Sequence, residues 1–190
     1  EINGSDWSSD VCSSDLIKSR GYRKERFALE YTHVVHEFAP VYDADSTVLI
    51  LGSFPSVKSR EQQFYYGHPR NRFWKVIAEL CNEPVPESIA DKKALLHRHH
   101  IALWDVIAEC DIKGSSDSSI RNVIPNDIPK IITRSSITAV YANGRKAYDL
   151  YQKYVYDNTG LPIALLPSTS PANAACSFTQ LLNTWNRILN

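Results

Sequence analysis

Short runs of aliphatic and β-branched residues alternate along the chain with segments in which apolar residues recur at helical spacing. A continuous apolar run is typical of a strand covered on both faces, as in a parallel sheet. The predicted strands are Thr47–Leu51, Ile101–Ile107, Ile137–Ala142 and Pro162–Leu166. The predicted helices are Arg72–Cys81, Glu87–His99, Ile128–Thr133, Arg145–Tyr156 and Ala174–Leu189. This alternation predicts an α/β protein: a three-layer α/β/α fold with a short, central, mainly parallel four-stranded sheet.

Two parts of this pattern are less regular. The second apolar run, Ile101–Ile107, fits either a strand or a strand followed by a turn. Residues 111–127 are rich in Ser, Asp and Asn, and are predicted as a loop with a short helical turn near Ile120. In the second helix, Ile89 is expected to face inward.

Polar loops follow three of the predicted strands, where each strand ends. These loops are Gly52–Asn71, Asn143-Gly144 and Pro167–Asn173. In parallel α/β sheets, ligands bind beyond the carboxyl ends of the strands. We therefore expect the three loops to converge on one site.

Composition limits the classes of protein to which this chain can belong. It has 190 residues, of which 43% are hydrophobic and 22% charged, as in a single globular domain with one sizeable core. No apolar run approaches the ~18 residues needed to cross a membrane, so no membrane association is expected. The formal net charge is zero, which argues against a strongly non-specific nucleic-acid binder. A DNA enzyme with a local basic face remains compatible with it.

Cysteine and histidine spacing indicates no metal site. The chain has four cysteines, none of them in a CxxC pair or at a zinc or iron–sulfur spacing. They are Cys12, Cys81, Cys110 and Cys176. We interpret them as reduced residues of a cytoplasmic protein. Three histidines within residues 97–100 mark a solvated helix end, because no acidic sequence pattern accompanies them.

The amino-terminal residues are set apart from the rest by composition. Residues 1–16 are dominated by Ser and Asp without periodicity, and residues 6–16 resemble the in-frame translation of a sequencing-library adapter. We interpret residues 1–16 as an adapter-like artefact, expected to be disordered. Residues 17–32 form a basic extension of uncertain origin, and residues 33–190 are expected to form a single domain.

The exit of the first strand, Gly52-Ser53-Phe54-Pro55, is the first candidate for chemistry. Glycine at a strand end permits a tight turn whose backbone N–H groups can bind an anion or a base carbonyl. An ordinary passage from strand to loop explains the same four residues.

Three adjacent aromatic residues, Phe64, Tyr65 and Tyr66, lie in the same loop and cannot all point into one core. An exposed aromatic ring beside basic and amide groups suits stacking on a nucleobase. The alternative is that the rings cover the edge of the sheet, which we expect for at least one of them.

Two asparagines have a structural and a functional interpretation each. Asn71 stands at a predicted helix start, where asparagine is a favoured N-cap, but its amide oxygen could also hold an attacking water. Asn143-Gly144 is a common turn dipeptide, and the Asn143 amide could also face a purine edge. The sequence leaves both pairs of alternatives open.

The hydroxyl-rich segment Ser168-Thr169-Ser170-Pro171 raises the question of a nucleophilic serine. Its flanks lack a G-x-S-x-G elbow, so a small-ester hydrolase is the weaker interpretation. Phosphate contact fits better, because the predicted closing helix follows at once and its N-terminus adds partial positive charge.

Taken together, these segments resemble the uracil-DNA glycosylase superfamily, and within it the hypoxanthine-DNA (DNA-deoxyinosine) glycosylases, over about residues 33–190. The residues that carry the resemblance are Gly52–Ser56, Tyr65–Trp74, Tyr141–Gly144 and Leu166–Asn173. Many members of the superfamily place Asp or Asn at the third position of the first motif, where it orients water. Here that position is Phe54, which disfavours uracil removal and favours hypoxanthine.

The resemblance implies a set of roles. Asn71 is the catalytic residue that positions water, Tyr66 stacks on the base and Asn143 reads it. The group that binds the polar edge of the base is Gly52, Ser53 and Phe54. The DNA-binding loop contributes Ser168, Thr169, Ser170, Pro171 and Asn173. The implied enzyme is a monomeric, monofunctional glycosylase of base excision repair that acts on DNA containing deaminated bases and needs no metal or cofactor. Uracil or mixed deaminated-base specificity, and a non-catalytic nucleic-acid binding module, are the alternatives.

Overall fold

A computed structural model describes residues 30–113 and 117–189 of the chain. The strands are β1 (Thr32–Val35), β2 (Val48–Gly52), β3 (Ile101–Asp105), β4 (Ile107–Ile112), β5 (Arg121–Pro125), β6 (Ala139–Asn143) and β7 (Ile163–Leu166). The helices are α1 (Val57–Glu61), α2 (Phe73–Leu80), α3 (Ile89–Arg98), α4 (Ile128–Thr133), α5 (Arg145–Tyr154), α6 (Tyr156–Thr159) and α7 (Phe178–Trp185). Short 3₁₀ turns lie at Asp117–Ser119 and Asn186–Leu189. The interpretation of residues 1–16, and most of that of residues 17–32, lies outside the described residues.

The four predicted strands form one parallel sheet in the order β3-β2-β6-β7. The chain runs from β2 outward to β3 on one side, and from β6 outward to β7 on the other. The strand order therefore changes direction between β2 and β6, which is where α/β sheets bind ligands. The prediction of a short, parallel, four-stranded sheet is confirmed.

Alternate residues of β2 face two separate cores, as the period of two in a strand requires. Leu49 and Leu51 are buried in a core that α4, α5 and a second sheet cover, whereas Ile50 packs on the opposite side with α2, α3 and α7. Apolar side chains thus cover both faces of the sheet, which explains its continuous apolar runs. The three-layer α/β/α prediction is confirmed.

The second sheet was not predicted. It is antiparallel, has the order β1-β4-β5 and includes residues 111–112 and 121–125, so the prediction of a loop is wrong for these residues. The strand β5 shows why, because most of its residues are exposed and its polar residues Arg121 and Asn122 give no apolar alternation. The short helical turn that was expected near Ile120 is present, at Asp117–Ser119. The turn option for Ile101–Ile107 is confirmed, because β3 ends at Asp105 and β4 begins at Ile107.

Side-chain caps set two helix starts later than the apolar pattern suggests. Ser88 and Ser177 each form a capping box, so α3 begins at Ile89 and α7 at Phe178. Ile89 is consequently 41% exposed, so the prediction that it faces inward is wrong. The short helix α1, capped by Ser56, was not predicted within the first polar loop.

Two further expectations from composition can be compared with the described residues. Among them, Cys81, Cys110 and Cys176 form no disulfide. None of the helices in residues 30–113 and 117–189 has the length and apolarity that a membrane crossing demands.

Candidate active site

A cleft of about 200 Å³ opens at the carboxyl edge of the parallel sheet. The loops that follow β2, β6 and β7 all reach it, which confirms that the predicted polar loops converge. Its lining residues come from the exits of these strands and from the end of β3. They include Gly52, Ser53, Phe54, Tyr66, Asn71, Asp105, Asn143, Ser168, Thr169 and Ser170. Pro171 and Asn173 are not among the residues that line the cleft.

The exit of β2 is held in place by the turn that follows β3. The backbone carbonyls of Gly52 and Ser53 accept hydrogen bonds from Val106 and Ile107 at 2.9 and 3.1 Å. The N–H groups of Ser53 and Phe54 donate to no described residue, so they remain free to bind a ligand oxygen. Phe54 is 9% exposed and forms an apolar part of the cleft wall.

Asp105, which the sequence analysis missed, lies at the end of β3 in register with Gly52. Its Oδ2 is 2.9 Å from Nε2 of His36, and the two side chains are only 5% and 1% exposed. A Cβ atom on residue 52 would lie 2.1 Å from Oδ1 of Asp105, so Gly52 makes room for this carboxylate. The sequence did contain a signal, because an acidic residue stands near the end of an apolar run. The predicted strand Ile101–Ile107 continued past this residue, whereas β3 ends at it.

The three adjacent aromatic residues divide between the core and the cleft. Phe64 and Tyr65 are buried at 4% and 2% exposure, which confirms that at least one ring covers the sheet. Tyr66 is less buried and lines the cleft, which Tyr65 also reaches, and the backbone of Tyr66 adopts a left-handed conformation at φ +53°. One face of its ring stacks on Phe73 at a centroid distance of 4.0 Å. Its role in base stacking stays a prediction.

The hydroxyl of Tyr66 is buried and makes no well-formed hydrogen bond with a described residue. Burial raises the pKa of Tyr66, and the nearby Asp105 carboxylate raises it further, while the Asn143 amide opposes the shift in part. The phenol therefore stays protonated across the physiological range.

Asn71 takes the structural one of the two roles that the sequence left open. Its Oδ1 accepts the backbone N–H of Phe73 at 2.9 Å, which caps the start of α2, and the residue also lines the cleft. An amide oxygen has two lone pairs, so one remains for a water molecule. Capping is therefore observed, and the catalytic role of Asn71 stays a prediction.

Asn143 joins the end of β6 to the loop after β7. Its Oδ1 accepts the backbone N–H of Thr169 at 2.9 Å, and its Nδ2 donates to Oγ1 of the same residue at 2.9 Å. Thr169 is fully buried, so the pair fixes the loop against the sheet. One N–H and one lone pair of the Asn143 amide remain for a base, and its reading role stays a prediction.

Gly144 follows with φ +98°, a backbone conformation that residues with a side chain rarely adopt. A Cβ atom there would also approach the Ser168 side chain to 3.0 Å, so glycine lets β6 and the loop lie close together.

Arg72 is a second residue that the sequence analysis missed. Its guanidinium donates to the backbone carbonyls of Ser170 at 3.3 Å, Asn173 at 2.9 Å and Cys176. Its own backbone N–H donates to the carbonyl of Thr169 at 3.1 Å. Arg72 therefore ties the start of α2, beside Asn71, to the candidate DNA-binding loop. No pattern in the sequence indicates this role of Arg72, because its partners are backbone carbonyls, which every residue has.

The prediction that this loop leads directly into the N-terminus of the closing helix is wrong. The helix α7 begins at Phe178, not at Ala174, because Ser177 and Gln180 form its capping box. Instead, the loop is ordered internally, with the Asn173 side chain donating to the carbonyl of Ser168 at 2.9 Å. Its DNA-binding role stays a prediction that no longer rests on the helix dipole.

Within residues 30–113 and 117–189, no three His, Cys, Asp or Glu side chains cluster so as to hold a metal ion. The histidines at the end of α3 do have acidic partners, contrary to the sequence pattern. His97 lies 2.6 Å from Asp43, and His99 lies 2.6 Å from Glu83. Both pairs join separate parts of the chain, which is why the sequence did not reveal them.

Comparison with known proteins agrees with this architecture. The family model of the uracil DNA glycosylase superfamily matches residues 39–189. A hypoxanthine DNA glycosylase of Methanosarcina acetivorans is 35% identical over 138 residues, which is 72% of this chain and 86% of the relative. The hypoxanthine DNA glycosylase of Methanosarcina barkeri is 30% identical with the same coverage.

A solved structure is similar over most of its length as well. It is the solution NMR structure of a Methanosarcina acetivorans protein provisionally described as a uracil DNA glycosylase. It superposes with a TM-score of 0.68 at 30% identity and covers 80% of this chain and 97% of its own. The resemblance noted in the sequence is thereby confirmed, and the chain belongs to the uracil DNA glycosylase superfamily, within the hypoxanthine DNA glycosylase family.

Proposed function

We propose that the protein is a monofunctional DNA glycosylase of base excision repair, which hydrolyses the N-glycosidic bond of deoxyinosine and releases hypoxanthine. Its family membership and the names of its two curated relatives support this activity. The structural observation that carries the proposal is the cleft itself. It brings Asn71, Tyr66 and the free amides after β2 together at the sheet edge where α/β proteins bind ligands.

The reaction begins with the target nucleotide flipped out of the duplex, which costs least for a poorly paired base such as hypoxanthine. Tyr66 covers one face of the flipped base. The N–H groups of Ser53 and Phe54 donate to its carbonyl oxygen, and with Asn143 they stabilise the negative charge that grows on the departing base.

Asn71 holds the attacking water through the second lone pair of Oδ1. The water oxygen bonds to C1′ of the sugar while the bond from C1′ to N9 breaks, and the bonding pair leaves with the base. The proton lost by the water goes to the departing hypoxanthine, so the products are free base and an abasic site. Only water is consumed.

Strand cleavage is not part of the proposed reaction. It would require an amine that attacks C1′ and forms a Schiff base. None of the described residues that line the cleft is a lysine. The abasic strand should therefore stay intact until alkali is added.

The loop of residues 167–173 grips the DNA backbone, with Ser168, Thr169 and Ser170 at the cleft and Pro171 and Asn173 beyond it. Two arginines near the cleft, Arg60 in its wall and Arg70 on the exposed loop before Asn71, form no ion pair with a described residue. Their charges are available for phosphate groups, which supplies a local basic face on a chain of zero net charge.

The proposed protein acts as a monomer in the cytoplasm. The residues to which the proposed reaction assigns a role all belong to the described part of one chain. The described cysteines are reduced, as is typical of proteins in a reducing compartment.

A panel of duplexes containing deoxyinosine, deoxyuridine or deoxyxanthosine tests the proposal. Each is incubated with the protein, and free base and alkali-labile sites are measured. Hypoxanthine release from deoxyinosine is expected, and Asn71→Ala should abolish it. Preferential release of uracil would favour the superfamily alternative, and duplex binding without any base release would identify a non-catalytic binding module.

A further inference from the structure

Asp105 is the acidic residue among those that line the cleft, and the proposed reaction assigns it no role. It ends β3 beside Gly52, and its side chain is 5% exposed in the wall of the cleft. Oδ2 is occupied by His36, whereas Oδ1 accepts no hydrogen bond from a described residue. Oδ1 is not among the buried side-chain atoms that lack a partner in the described residues, so it is open to the cleft, where a ligand can supply the donor.

We infer that Asp105 is the specificity-determining residue that accepts the ring N–H of the flipped base, and so selects deaminated bases over adenine and cytosine. This inference rests on the proposed function and deepens it. Deamination converts an edge with a ring lone pair and an amino group into a lactam edge with a ring N–H and a carbonyl. The two edges have opposite hydrogen-bond patterns, and the cleft matches the second.

The complement of a lactam edge is an acceptor beside a donor. Asp105 provides the acceptor, and the free N–H groups of Ser53 and Phe54 provide donors one and two residues after Gly52, its partner in the sheet. Hypoxanthine presents N1–H and O6 to such a site. Adenine would instead place the lone pair of N1 against the Asp105 oxygen, and its amino group against donors that can accept nothing.

The surroundings of Asp105 hold its carboxylate in one orientation. His36 fixes Oδ2, and its ring is itself packed against Phe38 at 4.5 Å and edge-on to Phe54 at 6.2 Å. Gly52 leaves the space in which Oδ1 lies, because any side chain there would collide with it. Oδ1 is therefore presented at a fixed point, as discrimination between bases of similar shape requires.

The same recognition extends to uracil, whose N3–H and O4 form an equivalent edge, and to xanthine. Guanine and thymine also carry a ring N–H beside a carbonyl. Asp105 therefore separates hypoxanthine and uracil from adenine and cytosine, and the shape of the cleft must exclude the 2-amino group of guanine and the 5-methyl group of thymine.

The first test uses 1-methyl-2′-deoxyinosine, which lacks the N1 proton, beside deoxyinosine in the same duplex. Single-turnover release by the wild-type protein should be at least about 100-fold slower for the methylated base, since it loses a charge-assisted hydrogen bond and gains a clash. In Asp105→Ala, which removes both the acceptor and the obstacle, this ratio should shrink at least about tenfold. Equal rates for the two substrates in the wild-type protein would overturn the inference without any variant.

The second test measures selectivity by equilibrium binding to duplexes that contain deoxyinosine or deoxyadenosine at one position, each with a 2′-fluoro sugar that resists hydrolysis of the glycosidic bond. Asp105→Asn keeps the shape but lets an amide N–H face the base, so the preference for deoxyinosine should fall about 10- to 100-fold. Asp43→Asn is the matched control, because it breaks an aspartate–histidine pair outside the cleft. It should leave the preference unchanged. A merely structural Asp105 would lower binding to both duplexes alike, which contradicts the inference.

The two proposals fail in different ways. If the wild-type protein releases no hypoxanthine from deoxyinosine, the proposed function is wrong, and the binding preference still tests Asp105. If hypoxanthine is released but neither ratio responds to the Asp105 variants, the glycosylase proposal stands and the assignment of Asp105 falls.

Discussion

Replacing Asn71 by alanine and by serine separates its capping role from its proposed catalytic role. The amide oxygen accepts the N–H of Phe73 at 2.9 Å, and the residue lines the cleft. Alanine removes both functions. Serine keeps a hydroxyl that can cap the helix but is too short to hold a water where the longer amide would hold it.

The two roles differ enough in size to be told apart. Loss of an N-cap costs about 1 kcal/mol, which lowers the Tm of a domain of this length by roughly 2–4 °C. A native protein of about 5–15 kcal/mol stability remains almost entirely folded after such a loss. Loss of a group that positions or activates the reacting water lowers the rate by about 10²–10⁴-fold. A rate decrease beyond tenfold therefore cannot come from the missing cap.

The assay is single-turnover release of hypoxanthine from a deoxyinosine duplex, together with thermal unfolding of each variant. We expect Asn71→Ala to have a lower Tm and to lose activity, and Asn71→Ser to lose activity with a nearly unchanged Tm. Ser88→Ala is the matched control, since it removes the capping box of α3 and should lower Tm alone. Activity of Asn71→Ser within about threefold of the wild-type rate would refute catalysis by Asn71 and leave it as a cap.

Three further predictions concern the strand exit, the DNA surface and acid stability. Gly52→Ala should displace the Asp105 carboxylate, because Cβ would lie 2.1 Å from Oδ1. It should lower the free energy of unfolding, measured in urea, by about 1–3 kcal/mol and should also reduce the cleavage of deoxyinosine. Wild-type values for both would contradict the packing argument. Arg70→Ala should weaken binding to any duplex and reduce the slope of log K against log salt by about 1, whereas an unchanged slope would remove Arg70 from the interface. The pKa of Glu83 is lowered from 4.5 to about 2 by hydrogen bonds from Arg98 and His99, so the stability it contributes is present above pH 4.5 and is lost as pH falls towards 2. Glu83→Gln should flatten the fall of Tm over that pH window, and an unchanged profile would show that the ion pair is not formed in solution.

The sheet and its helices could be predicted because their signals are local. The buried strand β2 is a continuous apolar run, since both of its faces are covered, and a glycine marks its end. The helix α2 repeats its apolar residues on the faces that pack against the sheet. The convergence of the polar loops followed from the parallel sheet alone, because strands that point the same way end at the same edge.

The second sheet and two of the cleft residues could not be predicted for a different reason. The strand β5 is held by pairing with β4 and not by burial, so its sequence has no apolar period. Asp105 acquires its position from a register with Gly52, more than fifty residues away in the chain. Arg72 acts on backbone carbonyls, which are present at every residue and therefore give no signal.

The structure also explains why position 54 of the cleft can hold an apolar residue, Phe54, in place of a polar one. This residue is 9% exposed and packs edge-on to His36, whose ring holds the Asp105 carboxylate. An apolar wall at this point lowers the local dielectric, which strengthens the hydrogen bonds that the neighbouring polar groups make with a ligand. A carboxylate there would instead stand close to that of Asp105 and repel it. The proposed roles of Asn71 in holding the water and of Asp105 in recognising the base agree with this, because neither needs a second carboxylate at position 54.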